Sequence, residues 1–213
     1  MKLSIVYITY RPGSFDIMSD SLSNQTYKNF ELLIIDDYIP NRIKEIKEYI
    51  ESKGLFAKYI GPSKPKCFPE VPFNVSNAIN TGIILSTGEI VCLYQDYQWL
   101  PPDFLQRLAD RMQQLGDGYC IVIPTQNWEN SNPRDNNGKI TIWQKEWKGY
   151  PHLNDCIACP SWIPEGWEFA FIAQPWEHLC QINGYPEYLD CDAAHRHEAI
   201  MEWVSRSKYK PYV

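Results

Sequence analysis

Two sets of carboxylates, far apart in the chain, are the residues best suited to chemistry. Asp36 and Asp37 end the apolar run that includes Ile34 and Ile35. A buried strand ending in carboxylates delivers them to the carboxyl edge of a parallel sheet, where open α/β folds bind ligands. Asp190 and Asp192 flank Cys191 at the start of a helix-like stretch that reaches Arg196. The pattern suits an enzyme that grips a nucleotide at the first set and moves a proton at the second. Each set also has a plain structural use. Asp36 and Asp37 can cap the loop that follows them, and Asp190 can be the N-cap of its own helix.

Composition sets the frame for these residues. With 213 residues, 44% of them apolar, the chain is sized for one domain by the usual range of roughly 100–200 residues. A net charge of −6 without a basic tract argues against nucleic acid as the main partner. The seven cysteines are scattered, and Cys156 with Cys159 forms the one CxxC. Buried or free thiols fit that spacing better than a zinc site or a redox dithiol. Met1 and Lys2 lead straight into a strand, and no apolar stretch is long enough for a signal or membrane-spanning segment. A reducing, cytoplasmic setting is the expectation. Five of the eight tryptophans (Trp128, Trp143, Trp147, Trp162, Trp167) fall between positions 128 and 167. They either cover a loop-rich core or form a platform on which sugar rings stack, with Trp162 and Trp167 as candidate acceptor contacts.

The elements that must position these residues follow from periodicity. Apolar, β-branched runs predict strands over Leu3–Thr9, Phe30–Asp37, Phe56–Ile60, Ile90–Tyr94 and Tyr119–Pro124. Helical spacing predicts helices over Ser14–Asn24, Arg42–Lys53 and Asn74–Leu85, and another from Pro101-Pro102-Asp103 to about Leu115. Alternation of this kind means a mostly parallel sheet with right-handed crossovers. Beyond Gln126 the pattern changes. Asn127–Gly138 reads as a polar loop, Lys139–Gln144 and Glu168–Ala173 as strands, and Pro175–Ile182 and Leu189–Ser205 as helices.

Several segments, in order, resemble the family 2 glycosyltransferases of GT-A fold. They are Ser4-Ile-Val-Tyr-Ile-Thr9-Tyr10-Arg11-Pro12, Ser23-Asn-Gln25-Thr26-Tyr27, Ile34-Ile35-Asp36-Asp37 and Asn80-Thr-Gly82-Ile83 through Ser86-Thr-Gly88-Glu89. The last is Asn183-Gly184-Tyr185-Pro186-Glu187 with Leu189-Asp190-Cys191-Asp192-Ala-Ala-His195-Arg196. The likeness spans nearly the whole chain. It implies an α/β, Rossmann-like GT-A domain over 1–213, with a nucleotide-sugar-binding half (1–125) and an acceptor-binding half (126–213). It also implies transfer of a hexose or deoxyhexose from a UDP-sugar to a glycan hydroxyl, free or on a protein, with Mn2+ or Mg2+ as cofactor.

The resemblance places donor binding at Thr9, Tyr10, Arg11, Asp36, Asp37, Asn74 and Asp96. Tyr10 stacks on uracil and Asp37 accepts from its ring N–H, a charge-assisted bond. Asn74 falls near another uracil-contacting position, or it caps the helix it opens. The family's metal motif lies at Leu93-Tyr94-Gln95-Asp96-Tyr97-Gln98, where Gln95 and Tyr97 replace the two expected aspartates. Asp96 is left as the metal ligand, with His195 or Asp192 as helpers, and one carboxylate plus phosphate oxygens is enough for such a cation. Asp190 matches the general base, which in an inverting transfer takes the acceptor proton. Arg196 either offsets charge on the leaving diphosphate or pairs with Asp192. The altered metal motif supports a different reading, a non-catalytic nucleotide- or carbohydrate-binding domain. A sugar nucleotidyltransferase would need a longer Gly-rich basic loop than Arg11-Pro12-Gly13 provides.

Overall fold

The computed structural model describes residues 1–10, 15–37, 42–61, 74–95, 98–116, 119–123, 171–190 and 210–212. Seven strands form one sheet in the order β3-β2-β1-β4-β6-β5-β7. They are β1 (Leu3–Thr9), β2 (Phe30–Asp36), β3 (Ala57–Ile60), β4 (Ile90–Gln95), β5 (Tyr119–Ile123), β6 (Phe171–Pro175) and β7 (Lys210–Tyr212). β1, β2, β3 and β4 run parallel, while β6 runs antiparallel to both β4 and β5. The helices are α1 (Phe15–Ser23), α2 (Ile43–Ser52), α3 (Val75–Leu85), α4 (Phe104–Leu115) and α5 (Trp176–Gln181). None of the described helices is long and apolar enough to cross a membrane.

β1 is the centre of the fold. Every one of its residues is buried, as expected for a parallel strand covered on both faces. Its alternating side chains feed two cores. Leu3, Ile5 and Tyr7 pack with Met18 and Leu22 of α1, Ile46 and Ile50 of α2, and Leu105, Leu108 and Met112 of α4. Val6 and Ile8 face the other way, onto Ala78, Ile79 and Ile83 of α3 and Leu179 of α5. Helix α3 lies very close to β1 because Gly82 has no side chain. A Cβ there would stand 2.2 Å from Val6 Cγ1. This close seat fixes where the amino end of α3 meets the sheet edge.

The first five strands and first three helices stand within a residue or two of the positions that periodicity predicts. Helix α4 starts only at Phe104, with Asp103 at its N-cap and both prolines before it. The later elements differ more. The strand expected at Glu168–Ala173 occupies Phe171–Pro175, and Pro175 belongs to it rather than to the helix that follows. Proline's fixed φ suits an extended strand end as well as a helix start. Lys210–Tyr212 pairs with β5 although it contains Pro211. The strand order puts β7 outermost, where a missing backbone donor is tolerated. Glu187–Leu189 is a 3-10 turn ending at Asp190. Most of the helix predicted over 189–205, and the strand predicted over 139–144, lie outside the described residues.

At the amino edge of the sheet, Glu31 gathers donors from three elements. It accepts from Ser4 Oγ at 2.6 Å, Thr87 N–H at 2.6 Å and Lys58 Nζ at 3.1 Å. Burial alone would raise its carboxyl pKa, but the hydrogen bonds from Ser4 and Thr87 prevail and hold it at about 2, against an ordinary 4.5. A depressed carboxylate stabilises the fold above the unfolded-state value and loses that contribution as pH falls through the folded-state value. Glu31→Gln should therefore be less stable than the parent at pH 7, with the gap closing between pH 4.5 and about 2. Urea unfolding at pH 7, 4 and 3 checks this, and a gap independent of pH would refute it.

Candidate active site

The carboxyl ends of β1, β2 and β4 form one rim. Thr9 is in register with Asp36, and Ile8 with Gln95. Asp37 continues from β2 and donates its N–H to the Thr9 carbonyl at 2.9 Å. Tyr10 follows Thr9, half-buried. The sequence thus brings Thr9, Tyr10, Asp36 and Asp37 to one edge, as a parallel sheet requires.

Asp36 and Asp37 then part company. Asp36 is fully buried and both its oxygens are engaged. Arg42 donates from Nε at 2.8 Å and from Nη2 at 3.0 Å, and the Tyr59 hydroxyl donates at 2.7 Å. Burial, and next the bond to Asp36, push the Tyr59 phenol up, so it remains a donor. The Arg42 guanidinium also lies 4.6 Å from the centroid of the Phe15 ring, in the range of a cation–π contact. Asp36 thereby ties together β2, β3 and the starts of α1 and α2.

Asp37 is nearly as buried but faces α3. Its Oδ2 lies 3.4 Å from the backbone nitrogen of Asn74, a long hydrogen bond. Asn74 stands at the N-cap position of α3 and is fully buried, yet its side chain makes no capping bond. Both polar atoms of its amide lack a hydrogen-bond partner. A buried polar group left in that state costs about 1–3 kcal/mol.

The cap comes from elsewhere. Asp190 accepts from Ser76 N–H at 2.8 Å and from Asn77 N–H at 3.0 Å, across 114 and 113 positions of sequence. These are the second and third residues of α3, the usual targets of an N-cap side chain. Asp190 is 3% exposed. Its carboxylate therefore caps α3; the helix predicted to follow it lies outside the described residues. Asn77 also donates from its side chain to Glu187 Oε2 at 3.2 Å. Asp37, Asn74 and Asp190 all meet at the first turn of α3.

Other expected residues cannot be placed. Arg11, Asp96, Trp162, Trp167, Asp192, His195, Arg196 and the CxxC lie outside the described residues. Among those described, no group of three or more His, Cys, Asp or Glu could hold a metal ion. Gln95, at the first position of the metal motif, ends β4, and the Tyr94 hydroxyl donates to the Gln98 carbonyl at 2.6 Å, joining the two sides of that segment. Cys92 is buried, with burial pushing its thiol up, and Cys180 is exposed. Sequence reasoning missed Arg42, Tyr59, Asn77, Asn80 and Glu187. A signal existed for two of them: Asn77 and Asn80, three apart in a helix, share a face, and two amides there call for a polar partner.

Comparison with known proteins agrees with this architecture. The description "Glycosyl transferase family 2" matches residues 14–166, so the chain belongs to that family. A curated relative, the amylovoran biosynthesis glycosyltransferase AmsB of Erwinia amylovora, is 30% identical over 131 residues, which is 60% of this chain and 42% of AmsB. Among solved structures, residues 1–349 of S. aureus TarS superpose with a TM-score of 0.69 at 14% identity, covering 99% of this chain and 58% of that one. The mannosyltransferase PcManGT from Pyrobaculum calidifontis, in complex with GDP-Man and Mn2+, gives 0.63 at 16%, covering 99% and 53%. TarS 1–349 in complex with UDP-GlcNAc gives 0.58 at 17%, covering 100% and 56%. The fold is GT-A, and the chain spans about half the length of these proteins.

Removing one partner of a buried ion pair strands the other charge, at about 3–5 kcal/mol. Arg42→Ala should destabilise the protein by an amount of that order, and the double change Arg42→Met with Asp36→Asn should recover much of it. Chemical denaturation of the parent and these two variants measures both. An Arg42→Ala protein as stable as the parent would show that the pair contributes nothing.

Proposed function

We propose that this chain is a glycosyltransferase that moves a hexose or deoxyhexose from a UDP-sugar to a glycan hydroxyl, with inversion and with Asp190 as general base. The observation that carries the proposal is the meeting of Asp37, Asn74 and Asp190 at one helix end, with the Asn74 amide unbonded. A carboxylate beside an unsatisfied amide is an acceptor next to a donor. Uracil answers that pair with a ring N–H flanked by carbonyls. Guanine offers a ring N–H beside one carbonyl, and cytosine an exocyclic N–H beside a ring acceptor nitrogen. Asp37 and Asn74 therefore suit a pyrimidine or guanine edge, and the family resemblance selects UDP. In this reading Thr9, Tyr10 and Arg11 complete the donor pocket, and Asp36 supports its wall through Arg42. The domain division and the acceptor roles of Trp162 and Trp167 are part of the same proposal.

The step itself is a displacement. The acceptor oxygen attacks the anomeric carbon, the bond from that carbon to the diphosphate oxygen breaks, and its electron pair leaves with the diphosphate. The acceptor proton passes to Asp190. Asp190 makes two bonds to the backbone of α3. Those bonds hold it in place for proton transfer, which contributes about 10²–10⁴ in rate when the base is positioned. Asp96 fits a hard divalent cation whose other ligands are phosphate oxygens and water. Such a cation supplies charge stabilisation to the leaving diphosphate.

Gln95 at the end of β4, where a metal-binding aspartate is expected, favours a second reading: a domain that binds a nucleotide sugar without turning it over. Release of UDP, GDP or CMP from the matching sugar nucleotides, with and without Mn2+, separates the two. The expected result is Mn2+-dependent release of UDP. Asp190→Asn should lower transfer about a hundredfold with UDP affinity near normal, and Asp37→Ala should weaken UDP binding at least tenfold in calorimetry. Full transfer by the Asp190 variant would remove the base assignment. Unaltered UDP affinity in the Asp37 variant would remove the uracil contact.

A further inference from the structure

Asp190 reaches α3 from the end of a short turn, and something must hold that turn against the helix. Asn80 of α3 is central to that hold. Asn80 Oδ1 accepts the Tyr185 N–H at 2.7 Å, and its Nδ2 donates to the Tyr185 carbonyl at 2.9 Å. The amide thus pairs with both backbone groups of Tyr185, as a neighbouring strand would. The same Nδ2 also donates to Glu187 Oε1 at 2.8 Å. Glu187 Oε2 in turn accepts from Asn77 Nδ2 at 3.2 Å, and the Asn77 backbone N–H binds Asp190 Oδ2. Finally the Asp190 N–H donates to the Glu187 carbonyl at 3.0 Å, closing the turn. The path from Asn80 to Asp190 is continuous.

The chain before Tyr185 is shaped to admit this amide. Asn183 and Gly184 both have positive φ, 65° and 66°. They end α5, with the Gly184 N–H bonded to the Leu179 carbonyl at 2.8 Å. A Cβ at Gly184 would stand 2.6 Å from Asn80 Oδ1, so glycine is needed for its backbone angle and also for the room it leaves. Tyr185 itself is buried in the α3-side core. No smaller or differently charged residue reproduces Asn80. Aspartate keeps the acceptor but sets a carboxylate against Glu187 and a carbonyl, and alanine leaves the Tyr185 N–H without this acceptor.

We propose that Asn80 and Glu187 form a clasp that positions Asp190, fixing its carboxylate on the amino end of α3 in the place required for proton transfer. Neither residue touches substrate. Both act through Asp190, and the inference rests on the reading of Asp190 as the base. Its consequence is specific: loosening the clasp releases Asp190 from Ser76 and Asn77 while the nucleotide side of the rim, Asp37 and Asn74, keeps its geometry. Misplacement of a reacting group by about 1 Å lowers rate by up to about a hundredfold.

The test uses the complete chain and four variants: Asn80→Asp, Gly184→Ala, Glu187→Ala and Glu187→Gln. Two readouts are taken on each: kcat and KM for a UDP-sugar with Mn2+, and hydrogen exchange of the backbone amides. UDP titration fixes the fraction of competent protein, so a loss of folded material is not counted as a loss of kcat. The expected result is a kcat lower by about ten- to a hundredfold with donor KM unchanged. Exchange should quicken at Ser76 and Asn77 but not along β1 or the rest of α3. Glu187→Gln keeps one of the two acceptor oxygens and should restore part of what Glu187→Ala loses. Parent-like kcat and parent-like exchange at Ser76 and Asn77 in Asn80→Asp and Gly184→Ala would overturn the clasp. So would faster exchange spread evenly over the core. If Asp190→Asn transfers sugar as fast as the parent, the base assignment fails and the catalytic role of the clasp fails with it. Local exchange then still reports whether Asn80 and Glu187 hold Asp190 to the helix.

Discussion

The amino end of α3 is the constraint on which the site depends. A helix start leaves four backbone N–H groups without partners and carries partial positive charge. Here that end is buried at the sheet edge, where water cannot serve every donor. Asp190 meets the demand at Ser76 and Asn77, and the carboxylate of Asp37 approaches the same turn at Asn74. Two acidic groups can share one buried corner because the helix end offsets their charge, an effect worth about 0.3–1 kcal/mol each and up to about 2 when partly buried. The attraction that assembles the corner also brings a residue from the end of β2 to one 153 positions away, as the difference between 190 and 37 shows.

The same device appears at α4. Asp103 occupies its N-cap position but makes no side-chain capping bond. Gln25, buried and 80 positions away, accepts the Leu105 N–H at 2.9 Å, and its amide nitrogen donates to the Pro101 carbonyl at 2.7 Å. In both helices the local candidate makes no capping bond and a remote side chain caps instead. At α4 this fastens the loop after β4 to the core. At α3 it leaves the buried side-chain amide of Asn74 without a hydrogen-bond partner.

Asp36 and Asp37 show how adjacent, chemically identical residues acquire different tasks. Successive side chains at a strand end point to opposite faces. One face offers Arg42 and Tyr59, which take up Asp36 entirely, while the other offers the first turn of α3. The buried pair of Asp36 and Arg42 braces one side of the rim, and Asp37 and Asn74 lie at the other.

Much of this was legible from residue order. Apolar runs and helical spacing located β1 to β5 and α1 to α4, because those elements bury continuous faces against a common sheet. Strand ends rich in carboxylate identified the rim. The sequence also singled out Asp190, but not the helix α3 whose first turn it caps. What tertiary structure alone decided was partnership: Asp36 with Arg42 and Tyr59, Asp190 with α3, and Asn80 with Tyr185 and Glu187. Periodicity reports which face of an element is buried, since burial is a property of each residue against a uniform apolar background. A hydrogen bond joins two specific atoms within about 3 Å, and its partner is set by how separate elements come to rest together. That information is absent from either segment until both are folded.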